Sequence, residues 1–190
     1  MKSKILFFPL LFLIVIACDI SKNQSAQNLQ ETFSTEEIKQ LEFIEQKYHS
    51  YLKSQFNCSN EDCYNQYLTS LLPFEKTGGL TIEFPKSEYN EILENVNTDL
   101  LSEIWLDTNI KNDRFLTLNP DGKYYKFLQD LGKSNNAVKE YMQYYNPRIG
   151  FSPSLIGGSI KKFVNEDFSN KELRIFMAIH YISCSYRSDS

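Results

Sequence analysis

Apolar residues recur at three- and four-residue steps over most of this chain. Ile38, Leu41, Ile44, Tyr48, Tyr51 and Leu52 lie on one face of a helix that Ser34-Thr35-Glu36-Glu37 opens as a capping box. A second helix spans Asn60 to Leu72, with Ser59 as N-cap and Pro73 ending it. From about Ser87 to Leu106, Tyr89, Ile92, Leu93, Val96, Leu100, Ile104 and Trp105 make another helical stripe. Asn119-Pro120 opens a helix that carries Tyr124, Tyr125, Phe127, Leu128 and Leu131 and closes on Gly132. The next runs from about Asn135 to Tyr145, before Pro147. Ser152-Pro153 begins another, with Gly157-Gly158 inside it as a close-packing point or a kink. Ser169-Asn170-Lys171-Glu172 repeats the capping box ahead of Leu173–Ile182, which is apolar nearly all round and so reads as a central helix. Period-two alternation is confined to short pieces. Leu80–Phe84 and Arg114–Leu118 are the strand candidates, expected to meet as a two-stranded antiparallel ribbon supported by a helix. The fold class expected is mainly α: a single-domain bundle of about seven helices, with a small β-ribbon.

Residues 1–33 do not fit that pattern. Lys2 and Lys4 precede the apolar run Ile5–Ala17, which closes on Val15-Ile16-Ala17-Cys18. The run is too short for a bilayer-spanning helix, which needs about 20 apolar residues, and has the length of a signal-peptide core. Its end resembles the lipobox of bacterial lipoproteins. That resemblance covers this segment alone. It implies cleavage before Cys18, acylation of the Cys18 thiol and attachment to a bacterial membrane on the non-cytoplasmic side. Two or three acyl chains, at about 0.8 kcal/mol per buried methylene, hold a protein stably. Asp19 after that cysteine resembles the inner-membrane retention signal of some enterobacterial lipoproteins. Asp19–Phe33 is polar and without period, and is expected to be a flexible tether. The organisation expected is a signal peptide at 1–17, a lipidated cysteine and tether at 18–33, and a helical domain at 34–190.

Removing 17 of 190 residues leaves 173, the size of one ordinary domain. It also removes two lysines and no acid, taking the net charge from −4 to −6. An acidic chain without clustered cations does not bind nucleic acid through its phosphates, and has no basic patch for an anionic lipid surface. Export changes the meaning of the cysteines. Cys58 and Cys63 occupy the two positions that a hydrophobic staple joins at a helix start, and a disulfide between them is permitted outside the cytosol. Zinc would need further Cys or His ligands nearby. Cys184 is left over, as a free thiol or as the partner of one of the pair.

Chemistry-bearing residues are scattered. His49 reads as a boundary residue beside its helix stripe, and His180 as a core or rim residue. Glu91, Glu94, Asp99 and Glu103 could supply a glycosidase-type carboxylate pair, but helical spacing alone gives such separations; they read as a solvated face. Gly78-Gly79 lacks the Lys-Ser or Lys-Thr of a phosphate loop. No cofactor or metal motif is present. The tyrosines are more informative, because neighbours on a helix diverge by about 100° and cannot all face one core. Tyr124, Tyr125, Tyr141, Tyr144 and Tyr145, with Arg148 as a charged anchor, either ring the core or form a recognition surface. The function expected is a lipid-anchored cell-envelope binding or interaction module, of which a toxin-immunity protein is one form, engaging a protein or small-ligand partner and not acting as an enzyme. The alternatives are an envelope hydrolase with a site assembled from dispersed residues, using Glu, Asp or His180 as base, and a purely structural envelope protein.

Overall fold

A computed structural model describes residues 29–59, 62–74, 76, 83–110, 113–146, 158 and 161–185; side chains at 108–110 and 113–115 are outside the description. The signal segment, Cys18, Gly78-Gly79, Leu80–Ile82, Arg148 and most of the stretch begun by Ser152-Pro153 lie outside the described residues.

The chain is mainly helical with one small antiparallel ribbon. Helix α1 spans Thr35–Phe56, α2 Asp62–Leu71 with a 3-10 turn at Leu72–Phe74, α3 Lys86–Asn95 and α4 Thr98–Ile104. Strands β1 (Trp105–Ile110) and β2 (Asp113–Leu118) follow, then α5 (Lys123–Ser134), α6 (Asn136–Tyr144) and α7 (Lys171–Ser185). The expected capping box forms at α1, where Ser34 Oγ accepts from the Glu37 amide and the Glu37 carboxylate accepts from the Ser34 amide. Leu41, Ile44, Tyr48 and Leu52 are buried along it. Helix α7 is buried from Glu172 to Ser183 except at half-buried Arg174, and packs against α1 and β2. Tyr48 of α1 stacks on Tyr181 of α7 with ring centroids 6.5 Å apart, and Tyr67 of α2 meets Tyr181 edge-on at 4.9 Å.

Several expectations need correcting. The ribbon pairs Trp105 with Leu118 through Ile110 with Asp113. Its second strand is the one expected, but its partner is the segment directly before it rather than Leu80–Phe84, of which Glu83 and Phe84 are described and are not strand. The Ser87–Leu106 helix is two helices. The break falls at Val96-Asn97, where Asn97 Oδ1 caps α4 through the Asp99 amide and Gln40 Oε1 of α1 accepts from the Asn97 amide at 2.9 Å.

The helix expected from Pro120 starts at Lys123. Asn119 instead holds a tight turn, its Oδ1 accepting from the Asp121 amide and its carbonyl from the Gly122 amide. The start of α5 is capped from another element: Glu103 Oε2 of α4 accepts from the Lys123 amide at 2.6 Å. Gly132 does not end α5, which runs two residues further. It is buried, and a Cβ there would lie 3.2 Å from Lys139 Cα of α6, so its role is close approach of the two helices. Gly158 shows no such approach, since a Cβ built on it meets no described atom within 4 Å. At α7 the cap is Asn170, whose Oδ1 accepts from the Glu172 and Leu173 amides, while Ser169 bonds Asp167.

The tether also ends earlier than expected. Residues 29–32 form a helical turn, and Leu29 and Phe33 join the core, Phe33 meeting Phe127 of α5 edge-on at 5.9 Å. The packed domain therefore begins at or before residue 29.

Candidate functional site

Helix α6 carries the tyrosines expected to face a partner. Its inner face is set by Ala137, Val138 and Tyr141, three and four residues apart, and Tyr145 caps the end of the same stripe. Tyr141 is buried, with its hydroxyl 3.2 Å from His180 Nδ1 and its ring edge-on to Phe176 at 4.9 Å. Tyr145 is buried too, and its hydroxyl accepts from the Leu118 amide of β2 at 2.7 Å. Tyr124 on α5 is 1% exposed. Tyr125 is half-buried, 6.2 Å from the Tyr145 ring. Tyr144 alone of the five stands in solvent, 74% exposed. The recognition surface expected of Tyr124, Tyr125, Tyr141, Tyr144 and Tyr145 is thus not formed as a group: Tyr124 is on the buried face of α5, and Tyr141 and Tyr145, four residues apart, point together from α6 into α7 and the ribbon. Near Tyr144, Lys162 forms an ion pair with Glu140 at 2.5 Å.

His180 sits in an aromatic cage of α7 and α6, 5.9 Å from the Phe176 ring and 5.2 Å from that of Tyr141. Burial pulls its pKa down to about 3. One turn on, Cys184 Sγ lies 3.7 Å from His180 Nε2, and burial pushes that free thiol well above its usual range. A Cys-His nucleophile needs thiolate beside imidazolium, and burial here shifts both groups the other way. At neutral pH the pair is a thiol and a neutral imidazole.

A buried polar group that sequence reading missed joins α1, α2 and α7. Glu45 Oε1 accepts from the Tyr64 hydroxyl at 2.9 Å and Arg174 Nε at 3.1 Å, with His49 Nδ1 at 3.9 Å. Arg174 also donates to the Phe168 and Ser169 carbonyls, pinning the turn before α7. Its only sequence signal is Glu45 and His49 four residues apart, facing inward beside Ile44 and Tyr48. The cluster acts as a cross-brace between helices through the Tyr64 and Arg174 bonds to Glu45, while His49 Nε2 is buried with no described hydrogen-bond partner.

The acidic residues of α3 and α4 are also accounted for individually. Glu91 and Glu88 pair with Lys47 of α1, Glu103 caps α5, and Glu94 and Asp99 are exposed. Cys58 and Cys63 are joined as a disulfide with Cα atoms 5.2 Å apart, leaving Cys184 as a free thiol. Among the described residues no three His, Cys, Asp or Glu side chains are grouped to hold a metal ion, and no helix is long and apolar enough to cross a membrane. Comparison of the chain with protein-family models, curated proteins and solved structures finds no match.

Proposed function

We propose that this chain is a lipid-anchored protein of the bacterial cell envelope, held through Cys18, whose helical domain is a binding module for a protein partner near the membrane. The observation that carries the reading is the coincidence in one chain of a lipobox-like cysteine and a bonded Cys58–Cys63 pair. Each points to an oxidising, non-cytoplasmic compartment by separate chemistry. The docked Leu29 adds a length. Leu29 stands eleven positions after Cys18, and a fully extended chain spans at most about 3.6 Å per residue, so the domain stays within roughly 40 Å of the bilayer.

Tyr144 is the side chain offered to a partner, a large aromatic held on a rigid helix end with most of its surface in water. The domain's acidic balance suits a basic partner, and a toxin blocked at the envelope is the specific form favoured. A photoreactive phenylalanine analogue at position 144 tests this in intact cells. The reading expects an ultraviolet-dependent adduct at 144 that is absent when the probe stands at exposed Lys53. A domain that yields no adduct at 144, and retains nothing from envelope extract that Tyr144→Ala loses, does not have this binding face.

A further inference from the structure

Glu172 is a carboxyl where a central helix would ordinarily carry an apolar residue. It is 2% exposed at the start of α7, facing the turn at residues 29–32 rather than solvent. Its Oε1 accepts from the Leu29 amide at 3.3 Å, and its Oε2 has no described hydrogen-bond partner. The Leu29 amide opens its own helical turn, in which the Phe33 amide donates to the Leu29 carbonyl at 2.9 Å. One side-chain oxygen therefore holds the first described turn, while Leu29 and Phe33 hold it by apolar packing.

We infer that Glu172 is a proton-operated clasp on the membrane-proximal segment, keeping residues 29–33 docked when its carboxyl is protonated and releasing them when it ionises. The inference rests on the anchored reading only for its consequence, a longer leash at higher pH. An ionised Glu172 in the docked state would keep one oxygen buried and unsolvated, whereas undocking exposes it to water. Burial accordingly pushes its pKa up to about 7, against the lowering influence of the Leu29 amide and Lys171. Charged groups around it are engaged elsewhere. Lys171 is paired with Glu42 of α1, Glu45 with Arg174 and Tyr64, Lys123 of α5 with Glu37, and Glu31 of the segment itself is exposed. The described side chains of β2, Leu116, Thr117 and Leu118, carry no charge.

The sign follows from linkage. A carboxyl whose docked pKa lies above its free value of 4.5 favours docking fully below that value, and the advantage is lost as pH rises through about 7. Between about pH 5.5 and 8.5 the undocking constant should rise about thirtyfold.

Hydrogen exchange read by mass spectrometry on the full chain in detergent measures this, after correction for the intrinsic pH dependence of exchange. Protection of residues 29–33 should fall about thirtyfold over that range while α7 amides keep theirs, and Glu172→Gln should remove the pH dependence. In the wild-type chain, the Glu172 side-chain carbon-13 titration should share its midpoint with the loss of protection, a check that needs no variant. Flat wild-type protection, separate midpoints, or an unchanged slope in Glu172→Gln overturns the clasp. The same digest reports the mass at Cys18, so an unmodified cysteine would remove the anchor while leaving the clasp measurement standing.

Discussion

Replacing Tyr145 by Phe removes one oxygen and separates a core tyrosine from a recognition tyrosine. The ring keeps its neighbours, Tyr141 at 5.9 Å and Tyr125 at 6.2 Å, so packing is preserved. What is lost is the acceptor 2.7 Å from the Leu118 amide, in a residue that is 1% exposed. Leu118 pairs with Trp105 across the ribbon, and Trp105 Nε1 donates to Ser183 Oγ of α7 at 2.7 Å, so the orphaned amide lies where ribbon, α6 and α7 meet. A buried donor left without an acceptor costs its desolvation, about 1–3 kcal/mol, rather than the smaller net worth of an exchanged hydrogen bond. The surface exposed on unfolding barely changes, so the denaturant slope should hold while the midpoint falls. With a urea slope of roughly 2 kcal/mol per molar, that is a drop of about 0.5–1.5 M. Protection of the Leu118 amide should fall in parallel. The control is Tyr144→Phe, whose solvated hydroxyl should matter by less than about 0.5 kcal/mol. Equal effects of the two substitutions, or a neutral Tyr145→Phe with Leu118 still protected, would refute the assignment of Tyr145 to the core.

Two further perturbations, one substitution and one reduction, probe the joints of the fold. In Gly122→Ala the new Cβ would lie 2.1 Å from the Glu103 carbonyl oxygen, a backbone atom that cannot rotate away. Forcing α4 from the start of α5 should cost about 1–3 kcal/mol, seen as a lower urea midpoint together with faster exchange of the Lys123 amide, which Glu103 caps. Reducing the Cys58–Cys63 bond frees a short loop at the start of α2 and should cost about 2 kcal/mol, measured by denaturation with and without reductant; identical midpoints would count against a structural bond.

Where local pattern and tertiary packing agree, the sequence was a sufficient guide. The stripe of α1 and its capping box and the all-round apolar character of α7 could be read from spacing alone, and the Cys58–Cys63 pair from spacing together with the expected export. Several of the misses share a cause, a contact supplied from far along the chain. Trp105 continues the stripe of Leu100 and Ile104, so it reads as helix until Leu118 is available across the ribbon and Ser183 accepts its indole N–H. Glu103 caps a helix twenty residues away, and Gln40 helps to break one fifty-seven residues away. Glu172 looked like a local capping residue, but Asn170 takes that task and frees the carboxyl to reach Leu29. The candidate recognition face was over-read for a related reason. Tyrosine identity says nothing of exposure, and only the orientation of α6 against α7 separates Tyr144 from Tyr141 and Tyr145.

The proposed anchoring of the domain through Cys18 is decided by the mass of the N-terminal peptide of the chain purified from bacterial membranes. Lipid anchoring requires a chain beginning at Cys18, bearing a diacylglyceryl group there, and absent from the membrane fraction in that form when Cys18→Ser is expressed. A chain that begins elsewhere, or an unmodified Cys18 in membrane-bound protein, would contradict it.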